Sequence, residues 1–180
     1  MKSARKSGLD ISCSVPVQNL LYTDDALKEF DTNFKVLPPL RTERDRKAIL
    51  SGVADGTIKC ISSNHEPLEK ERKSLEFAHA DFGSTGLQTA FGTAWRALND
   101  KAELEQVVAC FAHGPREILK LPACTIQKNA EVELTLFDPT VEWSLDQNQL
   151  KSKSKNSASL GTQLLGTAVA TVVRGRLYSA

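Results

Sequence analysis

No stretch of this sequence stays apolar long enough to cross a bilayer; the longest apolar-leaning run, Leu164 to Val173, is too short. Nor does Met1-Lys2-Ser3-Ala4-Arg5-Lys6 lead into the apolar segment that a secretory signal carries. A cytoplasmic protein is therefore expected, with no membrane partner. Charge of one sign is also lacking: 23 Lys and Arg stand against 22 Asp and Glu, which argues against bulk attraction to nucleic acid or anionic lipid. Cysteines are few and scattered. Cys13, Cys60, Cys110 and Cys124 contain no close-spaced pair, so the pattern is neither a zinc ribbon nor a dense disulfide framework, and free thiols are expected. Histidine is scarcer still. His79 and His113 have no neighbouring Asp, Glu, Cys or His spaced like a metal site, and His65, alone in a polar loop, is more often exposed or hydrogen-bonded than a ligand.

What is present suits one ordinary globular domain: 180 residues, 41% of them hydrophobic and 25% charged, enough to bury a core. Met1 to Lys6 suits the end of a helix closed by Gly8, and Leu9 to Val15 alternates like a strand. Thr42 can cap a helix through Asp45, with Ala48, Ile49 and Val53 on one face and Gly56 past its end. Thr57 to Ser62 then reads as a second strand, which is the grammar of a parallel α/β protein. Between the strands, Phe30 to Arg41 holds Pro38-Pro39 and cannot be a helix interior. A charged loop follows from Ser63 to Ser84, where α/β folds place their sites; its Glu66, Glu69 and Glu71 form no acid/base pair and suit an exposed, mobile lid remnant. Leu87, Phe91, Ala94, Trp95 and Leu98 predict one core-facing helix. Leu104, Val107, Val108 and Phe111 predict another, and Pro115 opens a short third one through Leu119.

From Ala130 the pattern changes to strands. Val132, Leu134 and Leu136 alternate with Glu131, Glu133 and Thr135; Asp138-Pro139 ends that strand, and Val141-Glu142-Trp143 begins another. Gln163 to Val173 and a return strand after Arg174-Gly175 complete a β module. Lys151, Lys153 and Lys155, interleaved with serines and without aromatic neighbours, read as a solvated loop rather than a nucleic-acid patch.

The run Phe30-Asp31-Thr32-Asn33-Phe34-Lys35-Val36-Leu37-Pro38-Pro39-Leu40-Arg41 resembles the DTNFKVNPPLR segment of bacterial dihydroorotases, cyclic amidohydrolases of pyrimidine synthesis. In the same order follow Asp55-Gly56-Thr57-Ile58, Ser63-Asn64-His65-Glu66-Pro67 where the family has TDHAP, Phe82-Gly83 with Gly86 to Phe91, Leu136 to Pro139 with Glu142-Trp143, and Ser152 to Asn156. The resemblance implies an α/β fold: the last part of a (β/α)₈ metallohydrolase barrel over residues 1–125, and strands of a small β-sandwich over residues 126–180. It also implies that the first barrel strands, with the His-x-His pair and the other metal ligands, lie in an N-terminal half outside this sequence. Barrel strands without neighbours leave open edges and bare apolar faces, so self-association or a completing partner is expected.

The family uses zinc to acidify water and polarise the cyclic amide, and an aspartate that binds metal and shuttles the proton. Here that aspartate is Asn64, which carries no charge and cannot take the proton. No intact catalytic residue, no metal ligand and no bound zinc are expected of this chain. The family's substrate-holding asparagine and histidine fall on Leu37 and Leu68; Phe82 and Gly83, whose backbone sits against the substrate ring in the family, remain as substrate-binding candidates. The resemblance therefore implies a dihydroorotase-like protein without catalysis of its own, with aspartate transcarbamoylase as a possible structural partner. The alternative is a piece of a working dihydroorotase, or of a hydantoinase-like or allantoinase-like enzyme, completed by the N-terminal half.

Overall fold

Thr42 starts its helix as its position implies: its Oγ1 accepts the Asp45 N–H at 3.3 Å, and helix α3 runs Glu43–Ala54. Gly56, at φ +73°, follows directly and turns the chain toward a strand. In this computed structural model, which describes residues 1–128, 130 and 132–179, helix α1 spans Lys2–Lys6, strand β1 Ser14–Pro16 and the single turn α2 Gln18–Leu21. After α3 comes strand β2, Cys60–Ser62, paired parallel with β1 in the register Ser14 to Cys60 and Val15 to Ile61. A parallel pair with a helix in its crossover is the unit the sequence predicts. The strand expected from Leu9 begins only at Ser14, because β2 offers three residues to pair with and Leu9 to Cys13 meet no neighbouring strand among the described residues.

Helix α5, Ala90–Leu98, packs against α2 and α3, and helix α6, Leu104–Phe111, packs against α5 and β2. Val15, Val17, Leu20, Leu50, Val53, Ile61, Ala94, Leu98 and Val107 form the shared core. Removing these side chains from water is the main force holding the layer together. Two expectations change here. Leu87 does not face the core, being 66% exposed, since the residues before Ala90 form a turn tied to His65 rather than a first helical turn. Pro115 is the third residue, not the first, of helix α7, His113–Leu119, which follows α6 after Ala112.

The C-terminal part is one antiparallel sheet in the order β3, Glu133–Ser144; β4, Gln163–Val173; and β5, Arg176–Ser179. Glu131, counted in the alternating pattern, lies outside the described residues. Asp138-Pro139 does not end β3. The register slips instead from Asp138 opposite Thr167 to Glu142 opposite Leu165, so a bulge absorbs Pro139, which has no N–H to give the ladder. Asp138 Oδ1 closes the bulge by accepting from Thr140 N at 2.9 Å and Thr140 Oγ1 at 2.7 Å. Gly166 opposite it has φ +78°, and a Cβ there would lie 2.2 Å from Phe137 Cζ. The turn from β4 to β5 is Arg174-Gly175 with φ of +48° and +75°, the tight hairpin geometry that matches strand twist.

Helix α5 joins the two parts. Phe91 meets Phe137 with ring centres 4.5 Å apart, Trp95 Nε1 donates to Pro139 O at 3.0 Å, and Arg96 pairs with Glu142 at 2.9 Å. No helix among the described residues is long and apolar enough to cross a membrane.

Candidate functional site

Because β1 and β2 run parallel, their C-terminal ends lie at one edge, and the chain leaves both ends in long loops. Val17 N donates to Ser62 O at 2.9 Å, and Gln18 Nε2, from the start of α2, donates to Ser63 O at 3.2 Å. Gly86 is packed so closely that a Cβ would lie 2.2 Å from Ser63 O. Gln18 is almost wholly buried and its Oε1 has no donor among the described residues.

Asn64 stands at this edge with φ +45°, a left-handed conformation that Asn and Asp adopt more readily than other side chains. The backbone therefore suits asparagine and aspartate alike. Its Nδ2 donates to Leu37 O at 3.3 Å, linking the two long loops. Leu37 is 60% exposed, while Leu68 is buried and donates its N–H to Asn156 Oδ1 at 3.1 Å. His65 is exposed; its Nδ1 accepts from Gly86 N and Leu87 N at 3.2 Å each, so in the neutral ring the proton is on Nε2. His79 and His113 are also exposed.

The loop from Ser63 to Ser84 is pinned rather than free. It contains a single helical turn, α4, Lys70–Lys73, and Arg72 pairs with Asp81. Lys73 is buried; its Nζ donates to Asp81 O and Gly83 O, both at 2.9 Å. Burial pushes the Lys73 ammonium pKa down, with Lys35 adding to the effect against the carboxylates of Asp31, Asp81 and Glu66. Lys35 Nζ donates to Phe77 O at 2.7 Å and Ala78 O at 3.0 Å and lies 4.8 Å from the Phe82 ring centre. Glu66, Glu69 and Glu71 are exposed.

Phe82 and Gly83 sit inside this frame. Gly83 is buried at φ +139°, and a Cβ would meet Glu66 Cγ at 2.9 Å. Its N–H donates to Lys35 O at 2.9 Å, and its carbonyl accepts from Lys73 and, at 3.3 Å, from Asn156 Nδ2. Both polar groups of Gly83 are thus committed to the protein, leaving the half-exposed Phe82 as the part a ligand could meet.

Asn156, to which the sequence reading assigned no role, ties this frame to the C-terminal segment. Its amide serves Leu68 N, Gly83 O and Glu66 O, the last at 3.0 Å, and its carbonyl accepts Thr85 N at 2.6 Å. Ser84, Ser157 and Ser159 continue a buried polar seam, in which Ser84 Oγ accepts Ala158 N at 2.8 Å and Ser157 Oγ donates to Thr85 O at 3.2 Å. The run Ser152 to Asn156 carried the signal; Lys73, in a charged stretch that reads as solvated, carried none. A crease of about 400 Å³ lies between His65, residues 85–89 and residues 150–152, with Leu87 and Leu150 among its walls.

Zinc requires several anionic or imidazole donors converging on one point. Among the described residues no three His, Cys, Asp or Glu side chains do so. Asn64 offers a neutral amide with its nitrogen already donating, and His65 Nδ1 is taken by two backbone N–H groups. The donors among the described residues do not fit the metal.

No protein-family model matches the chain. It is 35% identical over 178 residues to a dihydroorotase of Geobacter sp. (strain M21), an alignment covering 98% of this chain and 42% of that protein. Among solved structures it is similar to the L-hydantoinase (dihydropyrimidinase) of Arthrobacter aurescens, with a TM-score of 0.90, 25% identity, and coverage of 98% of this chain and 41% of that one. An inactive dihydroorotase-like domain of a Chaetomium thermophilum CAD-like multifunctional protein has the same fold, with a TM-score of 0.68 at 16% identity, covering 98% of this chain and 46% of that one. The chain thus spans about two fifths of the length of the curated relatives it matches.

Proposed function

Because this chain belongs, over the stretch it spans, to the dihydroorotase family of the amidohydrolase superfamily, we propose that it is a dihydroorotase-like protein of pyrimidine synthesis that does not catalyse cyclic amide hydrolysis by itself. In this reading residues 1–125 are the last part of a (β/α)₈ barrel and residues 126–180 are strands of its small β-sandwich. The observation that carries the proposal is Asn64: it stands where the family has its proton-shuttling aspartate, in a backbone conformation open to aspartate, with its amide nitrogen donating to Leu37 O. A neutral amide neither binds zinc well nor takes a proton from water, so both family roles fail. Leu68 and Leu37 replace the polar substrate contacts, and Phe82 and Gly83 are what remains of that pocket.

The test is hydrolysis and ring closure of dihydroorotate by the purified chain with added zinc, beside Asn64→Asp. No turnover by the unmodified chain is expected, and turnover above background refutes the proposal. A structural role beside aspartate transcarbamoylase is the form of partnership the family suggests, and co-purification of the two tests it. A second reading is favoured by the 42% coverage of the Geobacter relative: the chain supplies one portion of a working cyclic amidohydrolase, with the zinc ligands coming from the rest of the fold. In that case adding the complementary portion restores zinc binding, with turnover still impaired by Asn64 and raised by Asn64→Asp.

A further inference from the structure

The segment from Glu69 to Phe82 is bonded mostly to itself. Within it, Arg72 N donates to Glu69 O at 3.2 Å, Ser74 N to Lys70 O at 2.9 Å, Ala80 N to Glu76 O at 2.9 Å and Asp81 N to Arg72 O at 3.1 Å. The side chains of Arg72 and Asp81 pair across its width, and the buried Lys73 Nζ donates to Asp81 O at 2.9 Å. Its two limbs are thereby tied to each other. Its ends are also close: Leu68 and Gly83, which flank it, share the amide of Asn156, and a Cβ on Gly83 would lie 3.0 Å from Leu68 Cδ1. A surface loop with close ends and its own internal bonding behaves as one body.

Beyond Gly83, whose carbonyl Lys73 also reaches, only two residues outside the segment hydrogen-bond to it among the described residues. Thr32 Oγ1 donates to Lys73 O at 2.7 Å, and Lys35 Nζ donates to Phe77 O at 2.7 Å and Ala78 O at 3.0 Å. Phe30 adds an edge contact to Phe77, ring centres 6.0 Å apart. Lys35 lies 5.4 Å from the Phe77 ring centre and 4.8 Å from that of Phe82. Charge-assisted hydrogen bonds are about twice as strong as neutral ones, and the ammonium is drawn to both rings besides, so Lys35 is the stronger tether. A pivot is present at Gly83, whose φ of +139° is a backbone state open to glycine. Rotation there carries off its N–H, which donates to Lys35 O, while its carbonyl stays on Asn156.

We propose that residues 69–82 form a lid that swings as one body about Leu68 and Gly83, and that Lys35 is its latch and the positioning residue for the Phe82 ring. Closed, the lid presents Phe82 beside Gly83. Open, it withdraws the ring, so the latch sets the fraction of molecules in which the candidate site is assembled. The inference rests on the family reading above only in taking Phe82 as the group a ligand meets.

Lys35→Met keeps the stem and removes the charge and the donors, whereas Lys35→Arg keeps both. Amide hydrogen exchange read by NMR compares the two with the parent. In Lys35→Met the Gly83 N–H should exchange about tenfold or more faster. Ser74, Ala80 and Asp81 should be unchanged because their acceptors travel with them, and Leu98 and Val107 because the core is intact. Lys35→Arg should recover most of the Gly83 protection. Thr32→Val removes the weaker tether and should give the same pattern at smaller amplitude; it decides the matter if Lys35→Met does not fold. Gly83 exchange at the parent's rate in Lys35→Met, or in Thr32→Val if that variant has to decide, overturns the proposal. So does faster exchange at Ser74, Ala80 and Asp81 together with Gly83, which is unravelling and not swinging, or an arginine variant as labile as the methionine one. None of these readouts measures hydrolysis. Turnover by the chain alone would refute the proposed function and leave the lid standing, whereas a failed latch leaves the argument from Asn64 untouched.

Discussion

Replacing Asn156 separates the frame around Phe82 and Gly83 from the segment that holds it. In Asn156→Ala the buried Leu68 N–H loses its acceptor, and Glu66 O and Gly83 O each lose a donor. Gly83 O keeps Lys73, so the largest single loss is the Leu68 amide. Leaving one buried N–H unpaired costs about 1–3 kcal/mol, and about 2 kcal/mol appears as a roughly thirty-fold loss of amide protection if local opening governs exchange. Asn156→Asp is the sharper variant. Its carboxylate can still accept from Leu68, but it turns an oxygen toward two carbonyl oxygens in a buried place, at a cost of about 3 kcal/mol or more. The aspartate should therefore be worse than the alanine, although it matches asparagine in size, and its deficit should shrink as the pH falls and the carboxyl regains a proton to donate. Hydrogen exchange at Leu68 and denaturant titrations of the three proteins decide it. An Asn156→Asp protein as stable as the parent, with Leu68 equally protected, would show that this amide does not hold the frame.

The pH dependence of Asp55 has a definite sign. Hydrogen bonds from Lys2 and Thr57 hold its folded pKa at about 2, below the ordinary 3.8. A depressed carboxylate pKa adds stability that is complete above the ordinary value and is lost as the pH falls toward about 2. Asp55→Asn should thus lower the melting temperature near neutrality, and the two melting curves should converge in acid. Gly86→Ala should cost more than about 3 kcal/mol or prevent folding, because Ser63 O is a backbone atom that cannot move aside; soluble expression with an unchanged melting point would refute the packing described. Leu98→Ala, at a fully buried position of α5 in the shared core, should cost about 2–5 kcal/mol by denaturant titration. Asn64→Asp should fold as well as the parent, since the left-handed backbone accepts either residue, and a large fall in stability would contradict that reading.

Much of the fold is legible in the sequence because local rules act alone there. Thr42 with Asp45 and Gly56 bracket α3, Gln163 to Val173 is a strand over the residues expected, and Arg174-Gly175 is its hairpin turn. Reading fails where a distant residue decides the local state. Leu87 fits a helical stripe, yet His65, 22 residues earlier, takes its N–H and leaves its side chain in water. Pro139 reads as a strand end until Gly166 on the facing strand makes room for a bulge. The candidate site is legible in its residue types and not in its wiring. Asn64, Leu37, Leu68, Phe82 and Gly83 can be picked out by position, but no local pattern shows that Lys73 lies buried beneath Gly83 or that Asn156 spans the frame.

The wiring through Asn156 also sets an order of events. Its partners Leu68, Glu66 and Gly83 precede it by 88, 90 and 73 residues. Contacts so far apart in the chain close large loops, and the entropy of that closure is lost before any bond repays it. During synthesis the strand pair and its helices can assemble while the loop after β2 still lacks its clasp. The geometry around Phe82 and Gly83 is then among the last features of the molecule to set, and a nascent chain halted before Asn156 would emerge with its core in place and its candidate site unformed.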